Sequence, residues 1–125
     1  MEEHQALLGL ILEGKAGGTL PSITMVARSA GDQMVGFVEA CLRSHADGCD
    51  PKRPVGFIEG WYVDANWRKR GVGRQLISAA EDWARAQGCV EMASDTWIDN
   101  EPSQFAHEAL GFQVVDRCVN YRKTL

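Results

Sequence analysis

Apolar positions recur along the chain with two periods, and each change of period marks a change of element. Leu7, Leu8, Ile11 and Leu12 fall at helical spacing, which predicts a helix from Glu2 to about Lys15. Gly14 and the pair Gly17-Gly18 are its expected stop. Ile23 to Arg28 and Met34 to Leu42 are rich in β-branched and apolar residues, and Gly31-Asp32 lies between them as a turn. Together they predict a hairpin. Arg43 to Pro54 is polar, with Asp47-Gly48 and two prolines, and its length suits a functional lip.

Gly56 to Val63 predicts a third strand. Glu59 interrupts its apolar run, and Gly60 beside it marks a bulge or a close ligand. After the turn Asp64-Ala65-Asn66, helical spacing returns from Gly73 to Gln87. Leu76, Ile77, Ala79, Ala80, Trp83 and Ala84 form the apolar face there, and Gly88 follows as the terminating glycine. Val90 to Thr96 predicts a strand parallel to the previous one in a βαβ unit. A short helix opens near Asp99 to Pro102, with Ser103 as a plausible N-cap and Phe105, Ala109 and Leu110 facing the core. Gly111 ends it, and Phe112 to Tyr121 predicts a last strand. The order is helix, three strands, helix, strand, helix, strand. It implies an α/β (α+β) fold, a mixed sheet flanked by helices, and the 125 residues suit a single domain, 1–125.

Composition narrows the function classes. The net charge of −4 argues against a nucleic-acid surface and leaves room for a cationic partner. The cysteines at 41, 49, 89 and 118 form no Cys-x-x-Cys pair and the three histidines are scattered, so no metal site is expected. Free thiols fit a reducing cytoplasm. No signal segment and no apolar run near the ~18 residues of a membrane span is seen, so no membrane partner is expected.

The chemistry concentrates in Arg68-Lys69-Arg70-Gly71-Val72-Gly73-Arg74, a basic turn between the third strand and the long helix. Two glycines allow close approach of backbone to ligand, and the helix start adds unpaired N–H groups and the positive end of its dipole. The combination is an anion site, most naturally for phosphates. A nucleoside-triphosphatase loop needs Lys-Ser or Lys-Thr after its last glycine, and Arg74-Gln75 stands there instead. A dinucleotide loop needs a third glycine at residue 76, where the chain has Leu76.

The Arg-x-x-Gly-x-Gly pattern of Arg68, Gly71 and Gly73 resembles the pyrophosphate loop of the GCN5-related N-acetyltransferases (GNAT), and Leu110-Gly111-Phe112 resembles their closing signature. Phe57-Ile58-Glu59-Gly60-Trp61-Tyr62-Val63, Glu91-Met92-Ala93-Ser94-Asp95-Thr96 and Tyr121-Arg122-Lys123-Thr124-Leu125 resemble one branch, the aminoglycoside 6′-N-acetyltransferases. The resemblance implies the acyl-CoA N-acyltransferase fold, acetyl-CoA as cosubstrate and direct acetyl transfer to the 6′-amine of an aminoglycoside antibiotic. Such an enzyme confers resistance, and a homodimer is expected. Family members begin with a strand and a helix ahead of the segment matching Glu2 to Lys15. The expectation for this chain is that it is without them and that its sheet is one strand short. Acetylation of another small polyamine, or coenzyme A binding with weak catalysis, fits the same residues.

Glu59 and Asp95 lie near the C-terminal ends of adjacent parallel strands, where open α/β sheets place ligands, and a carboxylate there can hold an ammonium group and accept its proton. The resemblance implies the same two residues for substrate and catalysis, and adds Asp116 for substrate. It implies main-chain contacts to the pantetheine arm from Trp61, Tyr62 and Val63. It further implies a pyrophosphate cradle of Arg68, Lys69, Arg70, Gly71, Val72, Gly73 and Arg74, and a coenzyme contact from Asn100. His107 stands where many members carry a tyrosine that protonates the leaving thiolate. A structural histidine fits that position equally well. No cysteine has a histidine nearby in sequence, so an acetyl-enzyme is not expected.

Overall fold

The computed structural model describes residues 11–16 and 21–125. One five-stranded sheet runs in the order β1 (Ile11–Ala16), β2 (Ser22–Arg28), β3 (Met34–Arg43), β4 (Val55–Val63) and β5 (Met92–Ser94). The first four strands are antiparallel neighbours, and β5 runs parallel to β4. A 3-10 turn at Ala65–Trp67 leads into α1 (Val72–Ala86), and α2 (Glu101–Ala109) follows β5. The mixed α/β fold and the βαβ unit agree with the sequence pattern.

The core lies between the sheet and α1. Ala27, Val35, Val38, Ala40 and Ile58 of the strands meet Val72, Leu76, Ile77 and Ala80 of the helix, all buried. The helix turns this stripe inward because its apolar residues repeat every three or four positions. Trp83 joins the cluster partly buried. Gln75 is the unexpected member, a polar side chain only 3% exposed within that stripe.

Both helices end on a left-handed glycine in the same way. Gly88 has φ 92° and Gly111 has φ 94°. Gly88 N donates to Arg85 O and Cys89 N to Ala84 O; Gly111 N donates to Glu108 O and Phe112 N to His107 O. These are paired Schellman bonds, which satisfy the last carbonyls of a helix. The Leu-Gly-Phe signature thereby has a physical content. Leu110 closes α2, Gly111 reverses the chain, and Phe112 drops against the core cluster.

Four expectations need correction. Ile11–Ala16 is a strand, not the end of a helix; the rest of that expected helix, residues 2–10, lies outside the described residues. The tertiary contact decides here: a Cβ on Gly14 would come within 2.8 Å of Met25 Sδ, so the glycine serves close packing with β2 rather than a helix stop. Phe112 to Tyr121 forms no strand. Its β-favouring side chains have no ladder partner among the described residues, and Val114, Val115, Val119 and Tyr121 are exposed. Asn100, not Ser103, caps α2, its Oδ1 accepting from Ser103 N at 3.1 Å. Phe105 and Ala109 face outward, and only Leu110 of the three predicted residues packs inward.

A Cβ at Gly111 would meet nothing within 4 Å. Substitution there is opposed by backbone conformation alone, so Gly111→Ala is expected to cost about 1 kcal/mol of unfolding free energy, and Gly111→Asn less, because asparagine tolerates the left-handed region. Urea denaturation midpoints of the two variants check this.

Candidate active site

The site begins with a defect in the sheet. Across β3 and β4, Glu39 pairs with Gly60 and Ala40 with Ile58, so Glu59 is an extra residue with no partner. This is a β-bulge, which bends its strand and re-aims side chains. Ile58 stays in the core beneath α1, while Glu59 is turned out and exposed. The parity then shifts, and Trp61 rather than Gly60 packs toward α1.

Strands β4 and β5 share only three paired positions, ending at Ile58 and Ser94. Glu59 and Asp95 are the next residues on each strand, so both carboxylates sit where the two strands part. Beyond that point the β5-facing edge of β4, from Glu59 to Val63, has no strand beside it among the described residues. An open strand edge offers N–H and C=O groups to an extended ligand. Trp61, Tyr62 and Val63 lie on this stretch; the Val63 carbonyl already accepts from Arg68 Nε at 3.0 Å.

The basic turn reaches the same end of the sheet. Gly71 caps α1 with φ 86° and no side-chain bond, and Lys69 also has positive φ, 62°. The bond from Gln75 N to Gly71 O opens the helix, so the amides of Val72, Gly73 and Arg74 have no acceptor within it. Gly73 has a second duty. A Cβ there would lie 3.1 Å from Trp61 Cζ2, so glycine lets the indole pack against the helix start. The cations differ in employment: Arg68 binds β4 and lies over Tyr62, Arg70 stacks on Trp67 at 4.8 Å, and Lys69 and Arg74 are exposed.

Glu59 is not alone. Its Oε1 accepts from Arg43 Nη2 at 2.5 Å and from Cys41 Sγ at 3.2 Å. Partial burial would raise the Glu59 carboxyl, but the bonds from Arg43 and Cys41 outweigh it and hold the group below the usual range. Burial and the bond to Glu59 push the Cys41 thiol up. Neither Arg43 nor Cys41 was among the expected site residues. Their signal was the alternation of β3, which puts Phe37, Glu39, Cys41 and Arg43 on one face.

His107 joins α2 to the strand ends. Its Nδ1 is 2.7 Å from the Ser103 carbonyl, which can only accept, so Nδ1 donates there, and Nε2 is hydrogen-bonded with Ser94 Oγ at 2.8 Å. Trp61 and Phe112 flank the ring edge-on at 5.2 and 5.3 Å. Both nitrogens are thus used in holding the fold. The Asn100 Oδ1 is committed to its cap. Asp116 lies beyond β5 in the irregular tail, its Oδ1 accepting from Arg117 N, with no hydrogen bond to Glu59 or Asp95 among the described residues. The preceding residue, Val115, rests against Gly48 of the long loop, and that loop is tied to the β5 side by Asp50 N donating to Glu91 Oε1 at 2.7 Å.

A helix start with open leading amides, a bulged strand with an open edge and a Schellman-closed last helix thus meet at one end of the sheet. The profile of the Acetyltransferase (GNAT) family matches residues 9–112. The chain belongs to that family. It is 40% identical over 124 residues to an aminoglycoside N(6′)-acetyltransferase type 1 of Klebsiella aerogenes, covering 99% of this chain and 80% of the relative. It is 45% identical over 126 residues to the enzyme of that name from Serratia marcescens, covering 99% and 82%. Among solved structures it resembles AAC(6′)-Iy in complex with the bisubstrate analog CoA-S-monomethyl-acetylneamine, with a TM-score of 0.75, 41% identity, and coverage of 83% of this chain and 70% of that one. The fold of this GNAT protein is therefore the one its glycine loop and closing signature implied.

The Cys41–Glu59 contact has a measurable consequence. Glu59→Gln removes the negative charge that helps hold the thiol protonated, so Cys41 should alkylate severalfold faster with iodoacetamide near neutral pH than in the unmodified protein. Peptide mass mapping over time reads the rate at that site.

Proposed function

We infer that the protein is an acetyl-CoA-dependent aminoglycoside 6′-N-acetyltransferase, an antibiotic-modifying enzyme. The observation that carries this reading is that a helix start with open amides and the residues Glu59 and Asp95 lie at the same parted end of β4 and β5. The first suits a pyrophosphate, the second a polycationic amine. Relatives that share 40–45% identity across nearly the whole chain carry that activity in their names.

Bound acetyl-CoA supplies an activated thioester. The chain's own residues then divide the work. The free amides of Val72, Gly73 and Arg74, with Lys69 and the neighbouring arginines, hold the pyrophosphate. Main-chain groups of Trp61, Tyr62 and Val63 take the pantetheine arm as an added strand, and an amide on that edge polarises the thioester carbonyl. Glu59 and Asp95 grip the substrate ammonium, and Asp95 receives the proton that the amine must lose before it attacks, directly or through water. Asp116 is a further substrate contact, reached through the tail that lies along the long loop. Asn100 serves the coenzyme through its side-chain Nδ2, since its Oδ1 caps α2 and its backbone N and O are bonded to Trp97 O and Gln104 N. His107, bonded at both nitrogens, positions Ser94 and Trp61.

The protein works as a homodimer in the cytoplasm, where its four free thiols persist. The dimer reading is supported by Trp97, Phe105, Val119 and Tyr121, large apolar side chains left exposed, and by the outer edge of β5, which has no strand beside it among the described residues. Sedimentation equilibrium should give twice the 13.8 kDa chain mass; the mass of a single chain would rule the dimer out.

The decisive assay is thiol release from acetyl-CoA with aminoglycosides that carry or lack the 6′-amine. Release only with 6′-amino compounds is expected. Asp95→Asn should lower turnover by about 10²–10⁴-fold, the usual range for a lost general base, with acetyl-CoA affinity nearly unchanged. Release with simple polyamines but no aminoglycoside would move the activity to another amine.

A further inference from the structure

Three groups on neighbouring strands form one unit: Arg43 and Cys41, two apart on the same face of β3, and Glu59 at the bulge of β4. The Arg43 guanidinium carbon lies 3.5 Å from the centre of the Phe57 ring, and Phe57 is only 6% exposed. The planar cation therefore rests on a fixed floor, and stacking of this kind leaves it little freedom to follow a moving partner. From that floor Nη2 reaches Glu59 Oε1 at 2.5 Å. Cys41 Sγ meets the same oxygen at 3.2 Å. Both bonds fall on Oε1, so Oε2 is the oxygen left for a substrate.

We propose that Arg43 is a positioning residue for the acetyl acceptor: seated on Phe57, it locks Glu59 so that Oε2 alone is presented to one amine of the incoming polycation. The proposal rests on the reading of Glu59 as a substrate carboxylate and says how that carboxylate is aimed. A glutamate on a bulge with its side chain 40% exposed would otherwise sample several rotamers, and each substrate contact would have to bear the cost of ordering it. The alternative role, as a stabilising surface ion pair, is weak. Both partners are about two-fifths exposed, and pairs of that kind contribute little. Arg43 also repels a polycation. That repulsion acts at long range and is screened by salt, whereas the lock acts on a single atom, and the two separate in measurement.

The test is steady-state kinetics of Arg43→Gln, Arg43→Lys, Glu59→Gln and the Arg43→Gln/Glu59→Gln pair at about 0.15 M salt, with kanamycin and acetyl-CoA varied in turn. Arg43→Gln should raise the kanamycin KM about tenfold, the scale of a lost hydrogen bond to a charged group, with the acetyl-CoA KM and kcat little changed. Arg43→Lys keeps the charge but loses the planar fork, and should recover part of the loss. In the Glu59→Gln background Arg43→Gln should do nothing further. The proposal is overturned if Arg43→Gln leaves the kanamycin KM unchanged, raises both KM values alike, or acts in full without Glu59. If Glu59→Gln itself leaves the kanamycin KM unchanged, the substrate reading of Glu59 fails first. If Glu59→Gln raises it while Arg43→Gln is silent, only the positioning role fails.

Discussion

The short ladder between β4 and β5 is the constraint on which the site depends. Three paired positions, Gly56 to Met92 through Ile58 to Ser94, hold the strands together, and then the bulge at Glu59 bends β4 away. Closing the sheet over its full length would satisfy more backbone groups but leave no cleft. The uncovered edge is a cost for any sheet, because unpaired N–H and C=O groups need partners. A ligand that adds as a strand turns that cost into binding, and the same bend sends Glu59 outward while Ile58 stays in the core. A single inserted residue thus separates the packing face of β4 from its chemical face.

Helix α1 must meet this geometry at its first turn. Gly71 in the left-handed region allows the abrupt entry, and the absence of a side-chain cap leaves the leading amides open. Gly73 then admits the Trp61 indole to contact. The second glycine of the motif is therefore explained by helix–strand packing as much as by approach of a phosphate. Trp61 in turn bears edge-on against His107, which is held by Ser94 and Ser103. The helix start, the bulged strand and the last helix are fixed relative to one another by this chain of contacts.

What could be read in the sequence divides along local and non-local lines. α1 and its terminating Gly88, the hairpin of β2 and β3, and the bulge beside Gly60 were legible because each is set by neighbours within a few residues. Glu59 and Asp95 were legible as a pair because the βαβ topology dictates which strand ends are adjacent. Ile11–Ala16 was misread because its helical stripe was anchored on Leu7 and Leu8, while its actual state is set by pairing with β2. Phe112 to Tyr121 has strand composition, but a strand exists only with a partner edge, and composition does not provide one. Asn100 and Ser103 were both good cap residues, and the choice between them depended on one turn of backbone. Arg43 escaped notice because its partner lies 16 positions away across a ladder whose bulge shifts the register.

Net charge conceals the electrostatic design. A chain at −4 looks indifferent to both a polyanion and a polycation. Yet four cations fall from Arg68 to Arg74 with no acidic residue among them, and the carboxylates Glu59 and Asp95 stand where β4 and β5 part. At physiological ionic strength charges are screened over roughly 8 Å, so each patch acts on what touches it and the sum hardly matters. On the proposed assignment, two strongly charged reactants of opposite sign must reach one cleft without exchanging places. Local segregation allows this, whereas a uniformly acidic or basic surface would favour one reactant over the whole molecule. Arg43 sharpens the same separation on the acidic side. By neutralising one oxygen of Glu59 it leaves a single directed acceptor, and a directed acceptor can choose among the several amines of a polycation where a diffuse negative patch would bind them all.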